Sequence, residues 1–102
     1  MKFSIIIPTF NEESEIFSTL TALTNLEYQN KEIIVVDDST DNTSKIIEKH
    51  FDESVILINP KQRKGRCEAR NIGISRATGD ILIILNADVL LPKDFISRIK
   101  VH

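Results

Sequence analysis

The chain has 102 residues, 41% of them hydrophobic, with 13 Lys+Arg against 15 Asp+Glu and a formal net charge of −2. That length suits a single domain, the apolar content excludes a chain left disordered for want of a core, and the charge balance leaves no basic excess for coating nucleic acid or anionic lipid. No apolar run approaches the roughly 20 residues of a bilayer-spanning helix. Met1-Lys2 leads straight into Ile5-Ile6-Ile7-Pro8, too short for a secretory signal, and the single cysteine, Cys67, forbids an internal disulfide and fits a reducing, cytoplasmic setting.

Four short runs rich in β-branched residues read as strands: Phe3 to Ile7, Glu32 to Val36, Val55 to Ile58 and Ile81 to Leu85. Each is nearly all apolar instead of alternating, the mark of strands covered on both faces by helices in a parallel sheet. Pro8 is expected to stop the first strand. Ile16, Leu20 and Leu23 recur at helical spacing after a polar start at Asn11, which is expected to cap that helix. A second helix is expected from about Asp41 to Thr43 onward, burying Ile46, Ile47 and Phe51. A third runs from about Arg66 to Ala77 and ends before Gly79, and a fourth opens at Leu91-Pro92 with Phe95, Ile96 and Ile99 on one face. The alternation β-α-β-α-β-α-β-α implies right-handed parallel crossovers and an α/β three-layer sandwich, with a sheet of four strands in the order 3-2-1-4. In such open sheets ligands settle beyond the carboxyl ends of the strands where the order reverses, here between strands 1 and 4.

Those ends carry polar residues. Strand 1 runs into Pro8-Thr9-Phe10-Asn11-Glu12, followed by backbone N–H groups at a helix start that are expected to be free near Asn11 and Glu12. Strand 2 ends in Asp37-Asp38-Ser39-Thr40-Asp41, where at most one of two adjacent carboxylates can face the crevice; Asp38 and Asp41 are equally explained as caps of helix 2. After strand 3, Lys61-Gln62-Arg63-Lys64-Gly65-Arg66 puts four cations on one loop, suited to neutralising a diphosphate or simply to solvation. Strand 4 ends in Asn86-Ala87-Asp88, an oxygen pair suited to a hard cation such as Mg2+ or Mn2+, or to a turn before Pro92. His50 and His102 are isolated and read as surface residues. Cys67 has no evident catalytic partner. A dinucleotide fingerprint and a Walker A motif are both absent from the sequence.

Four stretches in order, Ser4 to Glu12, Glu32 to Asp41, Ala69-Arg70-Asn71-Ile72-Gly73, and Ala77-Thr78-Gly79-Asp80 through Asn86-Ala87-Asp88 to Pro92, resemble the nucleotide-binding half of a family 2 glycosyltransferase, the inverting group with the GT-A fold. The resemblance spans essentially the whole chain. It implies that residues 1–102 form one domain binding a nucleoside-diphosphate sugar, the N-terminal part of a larger catalytic domain. Pro8, Phe10 and Glu12 would line the nucleotide pocket, with Phe10 where Tyr is more usual. Val36 and Asp38 would contact the base, the carboxylate accepting from its ring N–H. Asn86, Ala87 and Asp88 fall on the Asp-x-Asp site, with Asp88 on the metal and Asn86 replacing the first acid, which implies weaker cation binding. Arg70 would brace the acidic edge.

The implied reaction is transfer, with inversion, from a UDP- or GDP-sugar to the hydroxyl of a saccharide, lipid-linked or protein acceptor, aided by Mg2+ or Mn2+. The general base has no counterpart in this chain, which is therefore expected to be inactive alone, in the cytoplasm or at the inner face of the membrane. The alternatives are a non-catalytic nucleotide-binding module and a fragment whose unpaired sheet edge drives self-association, as in a homodimer. A receiver-type signalling domain ranks low, because Pro8-Thr9 and Asn59-Pro60 stand where its acids belong.

Overall fold

The computed structural model describes residues 1–26, 30–60 and 65–85. In chain order these form β1 (Phe3–Thr9), α1 (Ile16–Thr24), β2 (Lys31–Asp37), α2 (Thr43–Phe51), β3 (Ile56–Ile58), α3 (Gly65–Arg76) and β4 (Ile81–Ile84). The expected fourth helix, the basic run 61–64 and residues 86–102 lie outside the described residues. All three strand pairings are parallel, and the sheet order is β3-β2-β1-β4, as the alternation of elements requires.

Side-chain parity along the strands divides the core. Phe3, Ile5, Ile7, Ile33 and Val35 point to one face and pack with Ile16, Leu20 and Leu23 of α1 and Ile47 and Phe51 of α2. Ile6, Ile34 and Val36 point to the other, against Ala69 and the half-buried Ile72 of α3. Gly73 makes that second contact possible: a Cβ there would lie 2.4 Å from Cγ2 of Ile6 and 3.4 Å from Cγ2 of Val36, so only glycine lets α3 rest this close to the sheet.

Coverage on both faces holds for the central strands and fails at the edge. β1 is buried throughout, whereas β4 alternates, leaving Leu82 and Ile84 exposed. Both lie beside Ser4 and Ile6 on the α3 face, and α3 sits over β1 and β2 without reaching across β4.

Three local expectations are corrected. β1 does not stop at Pro8 but continues to Thr9, with Pro8 beside Val36. Odd residues of β1 bond toward β2 (Thr9 O accepts from Asp38 N) and even ones toward β4 (Ile6 O accepts from Leu85 N). The missing N–H of Pro8 therefore costs no bond to β2, and described pairing with β4 ends at Ile6. Asn11 does not cap α1: the N-cap is Glu15, without a side-chain bond, and Asn11 adopts φ 53°. Helix α2 has Asn42 at its N-cap instead of Asp38 or Asp41, although Asp41, one residue earlier, does accept from Thr43 N–H at 3.0 Å.

Candidate functional site at the carboxyl edge of the sheet

Parallel pairing of β1 with β2 brings Pro8 beside Val36 and Thr9 beside Asp37, so the two loops that follow leave the sheet side by side. Parity then separates the acid pair. Asp37 has no exposed surface; its Oδ1 accepts from the hydroxyls of Thr9 (2.6 Å) and Ser39 (2.5 Å), while its buried Oδ2 has no hydrogen-bond partner among the described residues. Asp38, the next residue, falls on the opposite side of the strand and remains half-buried at the edge. The sequence reading allowed one carboxylate of the pair to face the crevice, and burial singles out Asp38 as the accessible one.

The first loop is cross-braced to the second. Asn11 N–H donates to Ser39 Oγ (2.7 Å), Glu12 N–H to Thr43 Oγ1 (3.0 Å) and Glu13 N–H to Asp41 Oδ2 (3.4 Å). The amides near Asn11 and Glu12 were expected to be free, and each is instead occupied by a side chain from the β2–α2 connection or the start of α2. In return Asn11 Oδ1 accepts from Thr40 N–H (2.8 Å), and Glu13 Oε2 accepts from Asn42 N–H (3.3 Å). Burial alone would raise the Asp41 carboxyl. The Thr43 hydroxyl and amide, with the Glu13 and Asp41 amides, outweigh that and hold it below its usual value.

Of the other residues singled out, Phe10 and Glu12 keep exposed surface, 38% for the Phe10 side, whereas Pro8 and Val36 are buried beneath the edge. Asn86, Ala87 and Asp88 lie outside the described residues, although Leu85 is held at the same edge by its bond to Ile6. Arg70 stands three residues before Gly73 on α3, half-buried, and its Nε is buried with no hydrogen-bond partner among the described residues. His50 is exposed, as expected, and meets the ring of Phe17 edge-on at 5.1 Å. Among the described residues no three His, Cys, Asp or Glu side chains gather to hold a metal, and no helix is long and apolar enough to cross a membrane.

Residues 4–100 match the family described as Glycosyl transferase family 2. The chain is 35% identical over its whole length to the uncharacterized glycosyltransferase YfnE of Bacillus subtilis, of which it covers 27%. It is 32% identical, over 89% of the chain, to the poly-beta-1,6-N-acetyl-D-glucosamine synthase of Staphylococcus aureus, of which it covers 23%. Two solved structures superpose closely. S. aureus TarS 1–349 in complex with UDP has a TM-score of 0.89 at 29% identity, covering 99% of this chain and 31% of that one. The mannosyltransferase PcManGT of Pyrobaculum calidifontis, in complex with GDP-Man and Mn2+, has a TM-score of 0.82 at 34% identity, covering 91% and 29%. The chain thus spans about a quarter of the length of these curated relatives. With the family's pattern matched along nearly all of its length and the same arrangement of strands and helices, this chain belongs to glycosyltransferase family 2 and has the GT-A fold.

Proposed function

We propose that residues 1–102 are the donor-binding part of an inverting glycosyltransferase and bind a nucleoside-diphosphate sugar at the carboxyl edge of β1, β2 and β4. The observation that carries this reading is the convergence of Phe10, Glu12 and Asp38 at one edge, with Asp37 withdrawn into the sheet. In this assignment Pro8 and Val36 form the floor, Phe10 and Glu12 flank the nucleotide, and Asp38 accepts the ring N–H of the base. A carboxylate in that role gives a charge-assisted hydrogen bond worth about 1.5–3 kcal/mol. Arg70 braces this acidic edge from α3.

A divalent cation, Mg2+ or Mn2+, is assigned to Asp88, with Asn86 beside it. Oxygen donors suit such hard ions, which commonly take one or two carboxylates together with substrate phosphates. When bound, the cation would offset the charge on the departing diphosphate. An acceptor hydroxyl, deprotonated by a general base outside this chain, would attack the anomeric carbon from the opposite face, so the sugar inverts and the nucleoside diphosphate leaves. Support for the donor class comes from TarS in complex with UDP and PcManGT in complex with GDP-Man and Mn2+.

Titration of the chain with UDP and with GDP, each with and without Mn2+, tests the reading. One nucleotide should bind, more tightly with Mn2+; Asp38→Ala should weaken it about 10- to 100-fold, and Asp88→Ala should remove the Mn2+ increment. Mn2+-dependent binding untouched by Asp88→Ala would overturn the metal assignment. Sugar transfer by the purified chain would overturn its assignment as a donor-binding part only. A second reading, a self-associating module, draws on the exposed Leu82 and Ile84 of the edge strand β4; light scattering that shows only monomer would dismiss it.

A further inference from the structure

Phe10, Glu12 and Asp38, assigned above to the nucleotide, each stand one position away from a member of a single hydrogen-bonded chain. Phe10 and Glu12 flank Asn11, and Asp38 lies between Asp37 and Ser39. Asn11 sits at φ 53°, a left-handed conformation that asparagine tolerates better than most residues with a side chain. There its N–H donates to Ser39 Oγ (2.7 Å), and its Oδ1 accepts from Thr40 N–H (2.8 Å), Asp41 N–H (3.3 Å) and the Thr40 hydroxyl (3.3 Å). Ser39 in turn donates to Asp37 Oδ1 (2.5 Å), which also holds the Thr9 hydroxyl (2.6 Å).

We infer that Asn11 is a positioning residue for donor recognition: it locks the Phe10–Glu12 loop against the Asp38 loop before nucleotide arrives, and the affinity of the site depends on that preorganisation. The inference rests on the nucleotide-binding reading above and gives Asn11 no contact with the ligand. Two features separate this role from general stability. Asn11 is exposed, and β1 and β2 are already joined over seven residue pairs beneath it, so loosening the loops leaves the sheet intact. Replacing these bonds by water makes each loop order itself upon binding, a cost taken from affinity.

The test is an NMR titration of the isotope-labelled chain with whichever of UDP and GDP the wild type takes, and with the matching nucleoside. Asn11→Gly accepts φ 53° but has no amide. It should stay folded, with a melting temperature lowered by no more than a few degrees, lose the protected Thr40 and Asp41 amide signals, and bind both ligands about tenfold more weakly. Asn11→Asp keeps an acceptor oxygen. It should restore those two signals and recover affinity for the nucleoside, which has no phosphate for the new charge to repel. Wild-type affinity in Asn11→Gly, alongside weakened binding in Asp38→Ala, would sink the inference and leave the nucleotide reading standing. Restored amide signals without restored nucleoside affinity in Asn11→Asp would sink it as well. A wild-type chain that takes no nucleotide at all removes the reading and the inference together.

Discussion

The two ends of the sheet are both polar, and they use polarity in different ways. At the amino edge the charges of Lys2, Glu32 and Asp80 are tied into one network. Glu32 Oε2 accepts from the Ser4 hydroxyl (2.6 Å), the Thr78 amide (2.7 Å) and the Thr78 hydroxyl (3.1 Å), while Lys2 Nζ lies 3.6 Å from Oε1. Ser4 Oγ takes the Gly79 amide (2.8 Å), and Asp80 takes the Lys2 amide (2.8 Å). At the carboxyl edge Glu12, Glu13, Asp37, Asp38 and Asp41 gather, and the carboxylates of Glu13, Asp37 and Asp41 accept hydrogen bonds from amides and hydroxyls that tie the two loops to the sheet and to each other. The first network locks the crossover from α3 into β4; the second holds together two loops that leave the sheet side by side. One network joins strands to a crossover, the other joins loop to loop.

The contrast breaks most visibly at Gly79. A Cβ there would lie 2.5 Å from Ser4 Oγ, 2.8 Å from Ser4 N and 2.9 Å from Lys2 O, two of them backbone atoms that cannot swing away. Gly79→Ala should therefore cost about 3 kcal/mol, read as a lower urea midpoint at unchanged slope. Next comes Glu32→Ala, which strands the buried Ser4 hydroxyl and the Thr78 amide and should cost about 2 kcal/mol. Nucleotide affinity should be unchanged in the folded fraction, and a loss there would mean that the two edges are coupled.

Thr9→Val probes the opposite edge. It keeps the shape but removes a donor from the fully buried Asp37, so a cost of about 1–2 kcal/mol is expected, this time with weakened nucleotide binding. The smallest effect is in acid. For Glu32, burial by itself would raise the carboxyl, but the hydrogen bonds from Ser4 and Thr78 and the nearby Lys2 outweigh it and lower it below its usual 4.5; Asp41 is likewise held below 3.8. Both groups thus bind protons more weakly folded than unfolded. Their stabilisation is complete above those usual values and is lost as pH falls through the lower folded ones. Glu32→Gln should flatten the acid limb of a stability–pH curve, and an unchanged limb would mean that other carboxylates set it.

Much of this was legible in the residues. The apolar runs ending in Ile7 and Val36 placed the central strands, the alternation of elements placed the order 3-2-1-4, and the polar strand ends pointed to the carboxyl edge. The errors came where a side chain's partner lies far along the chain. Asn11 reads as a helix cap because local sequence shows only the helix that follows. Its actual partners are Ser39, Thr40 and Asp41 on a neighbouring loop. The amino-edge network was missed for the same reason: Ser4, Glu32 and Thr78 are polar residues at the borders of apolar strands, and no local pattern joins them. One signal was available. A lone serine inside the run Phe3 to Ile7 must satisfy its hydroxyl somewhere, and a glycine two residues before a strand is a candidate for close backbone approach.

Composition and periodicity by themselves determined the α/β class and the parallel sheet, because burial of apolar faces follows from spacing along the chain. Which acid is withdrawn and which is offered, Asp37 or Asp38, depended on the tertiary structure. Two adjacent carboxylates are chemically alike until a folded sheet puts one among hydroxyls in the interior and leaves the other at the rim.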